Sequence, residues 1–302
     1  MAFGESSGRA DVGDPSVMSP FRALVQGTTS VFGVIGDPVR HSLSPTLHNA
    51  AFGATGIDAV YVAFAVVAGD APAALQAMRV MDIGGLSVTM PHKTAVAHAV
   101  DEASDDVVAL DAANTVLRVP GGRLRAESTD GPGCVDALLA AGCDPAGMRC
   151  MVIGAGGAGR SVVLALARHG ASEIAVVNRD DGRAAAALAL AGGVGVRRSL
   201  DAVGDAEIII NATPQGMGGS DATLPLDEER LSAGQVVNDL VYHPLETALL
   251  SAAGRRGLLT VDGLGMLLHQ AARQFSLWTG EAAPFDEMRH AVRAELARRS
   301  AL

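Results

Sequence analysis

The chain has 302 residues, of which 49% are hydrophobic and 19% are charged, and its formal net charge is −10. This composition is typical of a folded globular protein with room for two domains, and an acidic chain without a basic run argues against nucleic-acid or anionic-membrane partners. No apolar run approaches the length of a membrane span and no signal-peptide pattern is present, so we expect a soluble, cytoplasmic protein. The three cysteines form no C-x-x-C pair, and we expect neither a metal site nor a disulfide framework.

The N-terminal part of the chain predicts a leader followed by a first α/β domain. Residues 1–28 are rich in Gly, Ser, Asp and Pro without periodicity, which predicts disorder. Apolar runs then alternate with helical patterns, which predicts a three-layer domain with a mainly parallel sheet. The predicted strands are 31–35, 59–66 and 84–88, the predicted helices are 46–54, 71–80, one starting at Pro91 and one over 105–110, and a hairpin turn follows at Gly121-Gly122.

The first strand leads into a loop that carries two serines, Ser42 and Ser44. Ser44 is predicted to be the N-cap of the following helix, with Pro45 as the first helical residue, because both residue types are favoured there. Ser42 has no such capping role. Because residues two apart in extended chain share a face, the two hydroxyls could lie together beside the helix N-terminus. They would then form a neutral anion site suited to a small carboxylate.

The third strand leads to Thr89 and to Lys93, which is the single lysine of a chain with 22 arginines. Arginine stays protonated in proteins, whereas lysine can be tuned to exchange a proton near neutral pH. Functional groups of such folds lie at the carboxyl ends of strands, where Ser42, Thr89 and Lys93 all fall. Lys93 is therefore a candidate for proton transfer, the alternative being a surface lysine kept by chance. Asn114 and Asp130 also lie near the ends of apolar segments, and each could equally be a turn or cap residue.

A glycine-rich stretch over residues 149–160 predicts a dinucleotide-binding domain. It consists of an apolar strand, a G-x-G-x-x-G turn and an apolar helix. In this order of elements the glycine motif indicates dinucleotide binding. Gly154 allows the tight turn, Gly156 lets the backbone approach a pyrophosphate, and Gly159 lets the helix pack on its strand. The free N–H groups of the helix N-terminus would face the phosphates. The alternative is a glycine-rich turn in an alanine-rich chain.

The second half of the chain alternates strands and helices as a doubly wound sheet requires. The predicted strands are 149–153, 173–178, 207–211 and 235–241. At the tip of the second strand, Arg179 and Arg183 favour the ribose 2′-phosphate of NADP, whereas Asp180 and Asp181 suit the 2′-hydroxyl of NAD. We favour NADP and leave NAD open.

The C-terminal part is predicted to return to the first domain. Residues 211–217 form a Pro/Gly loop that we expect to lie over the cofactor. The helix that opens at about residue 263 carries core residues such as Phe275 at helical spacing, and Gln270 is its polar exception. A final helix is predicted over about 285–299, and His98, His169 and His290 show no clustered partners and receive no role.

Taken together, the ordered motifs closely resemble the shikimate dehydrogenase family over roughly residues 30 to 280. The motifs that carry the resemblance are His41-Ser-Leu-Ser-Pro45, Val88-Thr-Met-Pro-His-Lys93, Ala113-Asn-Thr115, Thr129-Asp-Gly131, Gly154-Ala-Gly-Gly-Ala158, Asn178-Arg179, Asn211-Ala-Thr-Pro214, Asp239-Leu-Val-Tyr242 and Gly263-Leu-Gly-Met266 with Gln270. The resemblance implies NADP-dependent interconversion of shikimate and 3-dehydroshikimate, in the pathway to the aromatic amino acids. It implies a substrate domain over 29–130 plus 265–302 and an NADP-binding Rossmann domain over 131–264.

The resemblance also implies roles for individual residues. Ser42 and Ser44 would hold the substrate carboxylate with help from Tyr242, and Lys93 with Asp130 would form the catalytic pair. The residues that would bond the ring hydroxyls are Thr89, Asn114, Asp130 and Gln270. The cofactor positions would be Gly154, Ala155, Gly156, Gly157, Ala158, Asn178, Arg179, Arg183, Leu240 and Gly263.

Two departures from the family pattern keep alternatives open. Ser87 and Ser128 stand where the family usually has Asn, and the shorter side chains would enlarge the pocket slightly. A quinate-type substrate with an extra ring hydroxyl, used with NAD, is therefore one alternative. A non-catalytic regulator that binds shikimate-like ligands is another, although such a protein should have lost Lys93 or Asp130. A folate-type dehydrogenase is a further alternative, but it would have no use for the paired serines. For the oligomeric state, we expect a monomer or a homodimer.

Overall fold

The computed structural model describes residues 25–219 and 224–300. Most of the predicted leader, residues 1–24, lies outside the described residues. At the C-terminal end of the leader segment, the hydroxyls of Thr28 and Thr29 donate to the carboxylate of Asp58 at 2.8 and 2.7 Å. These bonds attach the segment to the residues just before the second strand.

The first sheet has six strands in the order β2-β1-β3-β5-β6-β4. The strands are β1 (Ser30–Gly36), β2 (Ala59–Ala65), β3 (Gly85–Val88), β4 (Glu102–Ala103), β5 (Thr115–Val119) and β6 (Arg123–Glu127). β1 pairs in parallel with β2 and β3, but β5 runs antiparallel to both β3 and β6. Because β4 also pairs in parallel with β6, three of the five strand pairings are parallel, and the prediction of a mainly parallel sheet is confirmed. The antiparallel β5–β6 pair is the predicted hairpin, whose Gly121 and Gly122 both have positive φ, at 84° and 75°.

Helices cover both faces of this sheet, which confirms the predicted three layers. The helices are α1 (Ser44–Thr55), α2 (Ala71–Val80), α3 (Lys93–Ala99), α4 (Asp105–Leu110), α9 (Gly263–Thr279) and α10 (Phe285–Ser300). Buried apolar residues of α1, α9 and α10 form a core on one face, and those of α2, α3 and α4 form a core on the other. The C-terminal helices therefore return to the first sheet, as predicted.

Two predicted helix starts are wrong. Ser44 is the first residue of α1 rather than its N-cap, and its own backbone N–H donates to the hydroxyl of Ser42 at 3.2 Å. Pro91 lies before α3, which begins at Lys93, because the chain is still turning there: the N–H of His92 donates to the carbonyl of Thr89 at 3.0 Å. As a result, Ser44 and Lys93 are each the first residue of a helix.

The second sheet has six parallel strands in the order β12-β11-β10-β7-β8-β9, the doubly wound Rossmann arrangement. The strands are β7 (Arg149–Ile153), β8 (Glu173–Val177), β9 (Gly195–Val196), β10 (Ile208–Asn211), β11 (Val236–Asp239) and β12 (Leu259–Val261), and the helices packed with them are α5 (Asp130–Ala140), α6 (Gly157–Arg168), α7 (Asp181–Ala189) and α8 (Ala248–Arg255).

Strict alternation of strand and helix fails between β10 and β11. The described residues there contain only 3₁₀ turns, at Met217–Gly219 and Glu228–Arg230. Pro214 and the positive φ values of Gly216 and Gly218, 91° and 78°, are incompatible with a continuous helix over the first part of this segment.

Helix α5 joins the two sheets because two of its glycines permit close packing. A Cβ on Gly131 would lie 2.1 Å from the backbone oxygen of Ser161 in α6. A Cβ on Gly133 would lie 2.7 Å from the backbone nitrogen of Gln270 in α9. Since no side chain tolerates such distances, the glycines fix α5 against both helices. The first residue of α5, Asp130, is thereby placed between the two sheets.

Candidate active site

A cavity of about 360 Å³ lies where the two sheets face each other. It is lined by the loops after β1 and β3, by the starts of α1, α3, α5 and α9, and by the segment after β11. Every residue predicted for substrate binding or catalysis lines it: Ser42, Ser44, Thr89, Lys93, Asn114, Asp130, Tyr242 and Gln270. The fold therefore brings together residues that are spread over more than two thirds of the chain.

A lysine–carboxylate pair lies in this cavity. Lys93 Nζ donates to Asp130 Oδ2 at 2.5 Å, and Asn114 Nδ2 donates to Asp130 Oδ1 at 2.7 Å. The Lys93 side chain retains 24% of its exposure and the Asp130 side chain 13%, and both residues line the cavity. A cation held this way can stabilise negative charge on a substrate oxygen and can deliver a proton to it.

The orientation of the Asn114 amide is fixed from both ends. Its Oδ1 accepts the backbone N–H of Thr129 at 2.8 Å and the hydroxyl of Thr115 at 2.9 Å. Its Nδ2 must then face Asp130, whose carboxylate accepts hydrogen bonds. Asn114 therefore holds the carboxylate from the side opposite Lys93.

The hydrogen bonds continue beyond Asn114 through Ser87, which departs from the family pattern, and through three residues that the sequence did not single out for the site. Gln274 Nε2 donates to Thr115 Oγ1 at 2.9 Å, and Gln274 Oε1 accepts the hydroxyl of Ser87 at 2.8 Å. Ser87 in turn accepts the hydroxyl of Tyr61 at 2.6 Å. These hydrogen bonds form a row that runs from Tyr61 to Asp130. Because an ionised carboxylate only accepts hydrogen bonds, Asp130 fixes which group donates at every step: each residue donates to the next one towards Asp130.

Gln274 is the residue of this row that a sequence pattern could have identified. It follows Gln270 by four positions on a helix, so the two amides share a face. Tyr61 gave no comparable signal, since an aromatic residue in a strand usually indicates core. Burial raises the pKa of the Tyr61 phenol far above its usual value, which keeps it a neutral donor. The imidazole of His48 stacks on Tyr61 with ring centroids 4.4 Å apart, and burial lowers the pKa of His48 to about 3.

The two departures from the family pattern have different surroundings. Ser87 lines the cavity but is 6% exposed, and its hydroxyl proton is engaged by Gln274. Ser128 lies outside this cavity and lines another one together with Asp136 and Arg273. The prediction that Ser128 enlarges the pocket is therefore wrong.

A second cavity, of about 380 Å³, lies at the carboxyl ends of β7, β8 and β10. The predicted cofactor residues that line it are Gly154, Ala155, Gly156, Asn178, Arg179 and Arg183, and the loop over 212–215 covers one side. Ala158, Leu240 and Gly263 line the first cavity instead. Helix α6 begins with Gly157 and Ala158. Gly156, just before it, lines the second cavity and Ala158 lines the first, so both cavities adjoin the N-terminus of α6.

The glycines of this turn are required for two different reasons. Gly154 has a φ of +109°, and a Cβ on Gly159 would lie 2.1 Å from the carbonyl oxygen of Gly154. Gly156 and Gly157 face open space, with nothing within 4 Å of an added Cβ. No side chain caps the N-terminus of α6. The backbone N–H groups of its first turn are thus available to a phosphate, and the geometry fits a dinucleotide pyrophosphate.

Asp180 has a structural role at the edge of this cavity. Its Oδ1 accepts the backbone N–H of Arg183 at 3.0 Å as the N-cap of α7. The side chains of Arg179 and Arg183 line the cavity, whereas Asp180 and Asp181 do not. A carboxylate used as a cap is less available to a ribose hydroxyl, which favours the 2′-phosphate.

Outside the two cavities, the histidines without a predicted role are partly explained. His98 bonds Asp111 and His169 bonds Asp144, one carboxylate each, so neither belongs to a larger cluster of such contacts. Within residues 25–219 and 224–300, no cluster of three or more His, Cys, Asp or Glu has the arrangement of a metal site. No helix in the same ranges is long and apolar enough to cross a membrane.

Comparisons with known proteins agree with these features. The family model described as shikimate dehydrogenase substrate binding domain matches residues 34–116, and that of the shikimate 5'-dehydrogenase C-terminal domain matches 263–293. A model described as NADP oxidoreductase, coenzyme F420-dependent, matches residues 149–239.

Individual relatives cover nearly the whole chain. The shikimate dehydrogenase (NADP(+)) of Moorella thermoacetica is 40% identical over 282 residues, which is 89% of this chain and 94% of the relative. A crystal structure of a shikimate dehydrogenase in complex with NADP+ superposes with a TM-score of 0.86 at 35% identity, covering 91% of this chain and 98% of that one. The Thermus thermophilus enzyme in complex with NADP(H) and shikimate gives 0.82 at 36% identity, covering 88% and 99%.

Proposed function

This chain belongs to the shikimate dehydrogenase family, and from that premise we propose that it catalyses the reversible NADP-dependent reduction of 3-dehydroshikimate to shikimate. It is an oxidoreductase acting on a CH–OH group, in the pathway to the aromatic amino acids. The observation that carries the proposal is the Lys93–Asp130 pair, which lies 2.5 Å apart on the wall of the cavity between the two sheets.

The proton chemistry is assigned to Lys93. NADP, when bound, supplies the hydride-transfer chemistry of its nicotinamide ring. As negative charge develops on the ketone oxygen, the Lys93 ammonium stabilises it and donates a proton, so that an N–H bond breaks while the O–H bond forms. In the oxidation direction Lys93 accepts that proton. Asp130 holds the ammonium in place, and Asn114 holds Asp130.

The remaining lining residues are assigned to substrate binding. Ser42, Ser44 and Tyr242 bind the carboxylate as hydroxyl donors. The Ser42 oxygen already accepts the N–H of Ser44, which leaves its proton free to donate toward the cavity. The residues assigned to the ring hydroxyls are Thr89, Asn114, Asp130 and Gln270, which line the same cavity.

NADP is assigned to the second cavity and to the helix N-terminus beside it. The uncapped start of α6 and the open space at Gly156 and Gly157 support pyrophosphate binding there. Arg179 and Arg183 are assigned to the 2′-phosphate, because guanidinium groups bind phosphate through several charge-assisted hydrogen bonds. Ala158, Leu240 and Gly263 line the cavity that holds Lys93, which supports their placement around the nicotinamide end.

We also keep the predicted division into a substrate domain over 29–130 plus 265–302 and a cofactor domain over 131–264. A cytoplasmic location and a monomer or homodimer without nucleic-acid or membrane partners remain proposals. The net charge of −10 and three buried free cysteines suit a reducing compartment without polyanionic partners. Analytical ultracentrifugation and fractionation of source cells would test these points.

The reaction is tested by following the absorbance of reduced nicotinamide with purified protein, using shikimate or quinate with NADP or NAD. Reduction of NADP by shikimate supports the proposal. Turnover of quinate with NAD as the best pair would assign the chain to quinate oxidation instead. No turnover in any combination by folded protein would favour a ligand-binding regulator.

A further inference from the structure

The loop between β1 and α1 presents Ser42 from an exposed stretch of chain. Val39 and Leu43 are buried at its two sides, whereas Arg40 and His41 are exposed. The backbone bond within the stretch is local, from the N–H of Ser42 to the carbonyl of Val39 at 3.0 Å. The orientation of the peptide that leads into Ser42 therefore depends on a contact from outside the loop.

Arg299, in the last turn of α10, supplies that contact. Its Nη1 donates to the backbone carbonyl of His41 at 2.8 Å, and its Nε donates to Glu295 Oε1 at 2.7 Å. In the described chain this is the hydrogen bond that joins residues 40–42 to a distant element. The guanidinium thus uses one edge for its own helix and the other for the loop, which a planar fork permits.

The end of α10 carries an excess of positive charge. Glu295 also accepts two bonds from Arg298, at 2.8 and 2.9 Å. The two guanidiniums lower the pKa of Glu295 to about 2, so it is ionised at neutral pH. Two cations share one carboxylate, and one positive charge remains uncompensated within this group.

The charge of the same guanidinium also acts on Tyr242 of the assigned carboxylate subsite. Burial raises the pKa of the Tyr242 phenol, and the positive charge of Arg299 opposes that rise. Of the residues that line the cavity, Lys93 is the only lysine or arginine, and it is bonded to Asp130. The subsite formed by Ser42, Ser44 and Tyr242 therefore has no lysine or arginine of its own.

We propose that Arg299 is a positioning residue for the substrate carboxylate: it fixes the loop that presents Ser42 and supplies positive potential behind the subsite without touching the substrate. The inference rests on the proposed function. Because Arg299 is separated from the Lys93–Asp130 pair by the carboxylate subsite, its removal should weaken substrate binding and leave the chemical step unchanged.

The test compares Arg299→Met with Arg298→Met. Both variants lose one cation beside Glu295, but only Arg299→Met loses the bond to the loop. We expect Arg299→Met to raise KM for shikimate about tenfold, as expected for loss of a charge-assisted hydrogen bond, with kcat and KM for NADP within about twofold of wild type. Arg298→Met should leave all three parameters within about twofold. Arg299→Lys should fall between them, since it keeps the charge but not the fork.

Equal effects of Arg299→Met and Arg298→Met would overturn the inference, as would a rise in KM for NADP that matches the rise for shikimate. Calorimetric titration of shikimate into each protein in the absence of NADP decides the same point without turnover. If the wild-type protein binds shikimate but does not oxidise it, the proposed reaction fails while the Kd values still decide the role of Arg299. If it does not bind shikimate, both proposals fail. Should Arg299→Met not fold, Arg299→Lys gives the comparison.

Discussion

Lys93 Nζ lies 2.5 Å from Asp130 Oδ2, although the two residues are 37 positions apart and begin different helices. Asp130 is placed by α5, which the glycine contacts fix against α6 and α9. Lys93 is placed by the turn that follows β3. The pair therefore depends on the packing of both sheets, and it is the feature on which the proposed reaction depends most directly.

Replacing Lys93 tests the proton-transfer assignment. Lys93→Ala should lower kcat by about 100- to 10,000-fold, the usual contribution of a positioned general acid–base group. Lys93→Arg keeps a cation but cannot release its proton at neutral pH, so it should also be strongly impaired. The affinity for NADP, measured by fluorescence titration, should stay near that of wild type. Turnover of Lys93→Ala within about tenfold of wild type would show that the assignment is wrong.

The buried hydrogen-bond row predicts different effects for the two glutamines of α9. Gln274→Met leaves the hydroxyls of Ser87 and Thr115 without their partner, so it should lower the free energy of unfolding by about 1–3 kcal/mol. Gln270→Met removes only a local bond to the carbonyl of Leu267 in the free protein, so it should raise KM for shikimate with little effect on stability. Urea unfolding and steady-state kinetics on both variants measure the contrast. Equal stability of the two variants would contradict the directed row.

The glycine turn predicts that two neighbouring substitutions act on different properties. Gly159→Ala forces a Cβ to 2.1 Å from the Gly154 carbonyl, and overpacking of this kind costs about 1–3 kcal/mol of stability. Gly156→Ala places a methyl group in open space where the backbone would approach a phosphate. It should leave the melting temperature nearly unchanged and raise KM for NADP. A destabilised Gly156→Ala protein would contradict this interpretation.

The cofactor preference should depend on Arg179 and not on the neighbouring carboxylate. Arg179→Ser should raise KM for NADP about tenfold to a hundredfold, the range expected for a lost charge-assisted contact, and leave KM for NAD unchanged. Asp180→Asn retains a good N-cap residue for α7 and serves as the control, with a small effect on either cofactor. If Asp180→Asn instead selectively weakened NAD, the carboxylate would be the ribose ligand.

His48 predicts a loss of stability in mild acid. Burial lowers the pKa of His48 from 6.5 to about 3 in the folded protein, so only the unfolded chain binds this proton between those values. Above pH 6.5 His48 causes no loss of stability. As the pH drops from 6.5 towards 3, the free energy of unfolding falls by about 1.4 kcal/mol per pH unit because of this group. His48→Leu should remove about one proton from the pH dependence of the free energy of unfolding, measured by urea titration between these pH values. The exposed His290→Gln is the control, and an unchanged slope for His48→Leu would contradict the prediction.

Local pattern was sufficient where neighbouring residues decide the outcome. The helix over 71–80, the hairpin turn at Gly121-Gly122 and the strand over 149–153 follow from periodicity and glycine placement, and the structure has them at those positions. The helix starts near Ser44 and Pro91 could not be predicted as well, because backbone contacts in the turns, and not residue preference, set them.

The sequence by itself determined the fold class, the glycine turn between β7 and α6 and eight of the residues that line the cavity between the two sheets. The motifs, taken in their order along the chain, were specific enough to predict these features. Only the tertiary structure decided which of those residues touch. It paired Lys93 with Asp130, drew Gln274, Ser87 and Tyr61 into the row behind them, and removed Ser128 from the pocket. The reason is physical: spacing along the chain fixes the face of a helix or strand on which a side chain lies, whereas the partner of that side chain is fixed by packing between elements far apart in sequence.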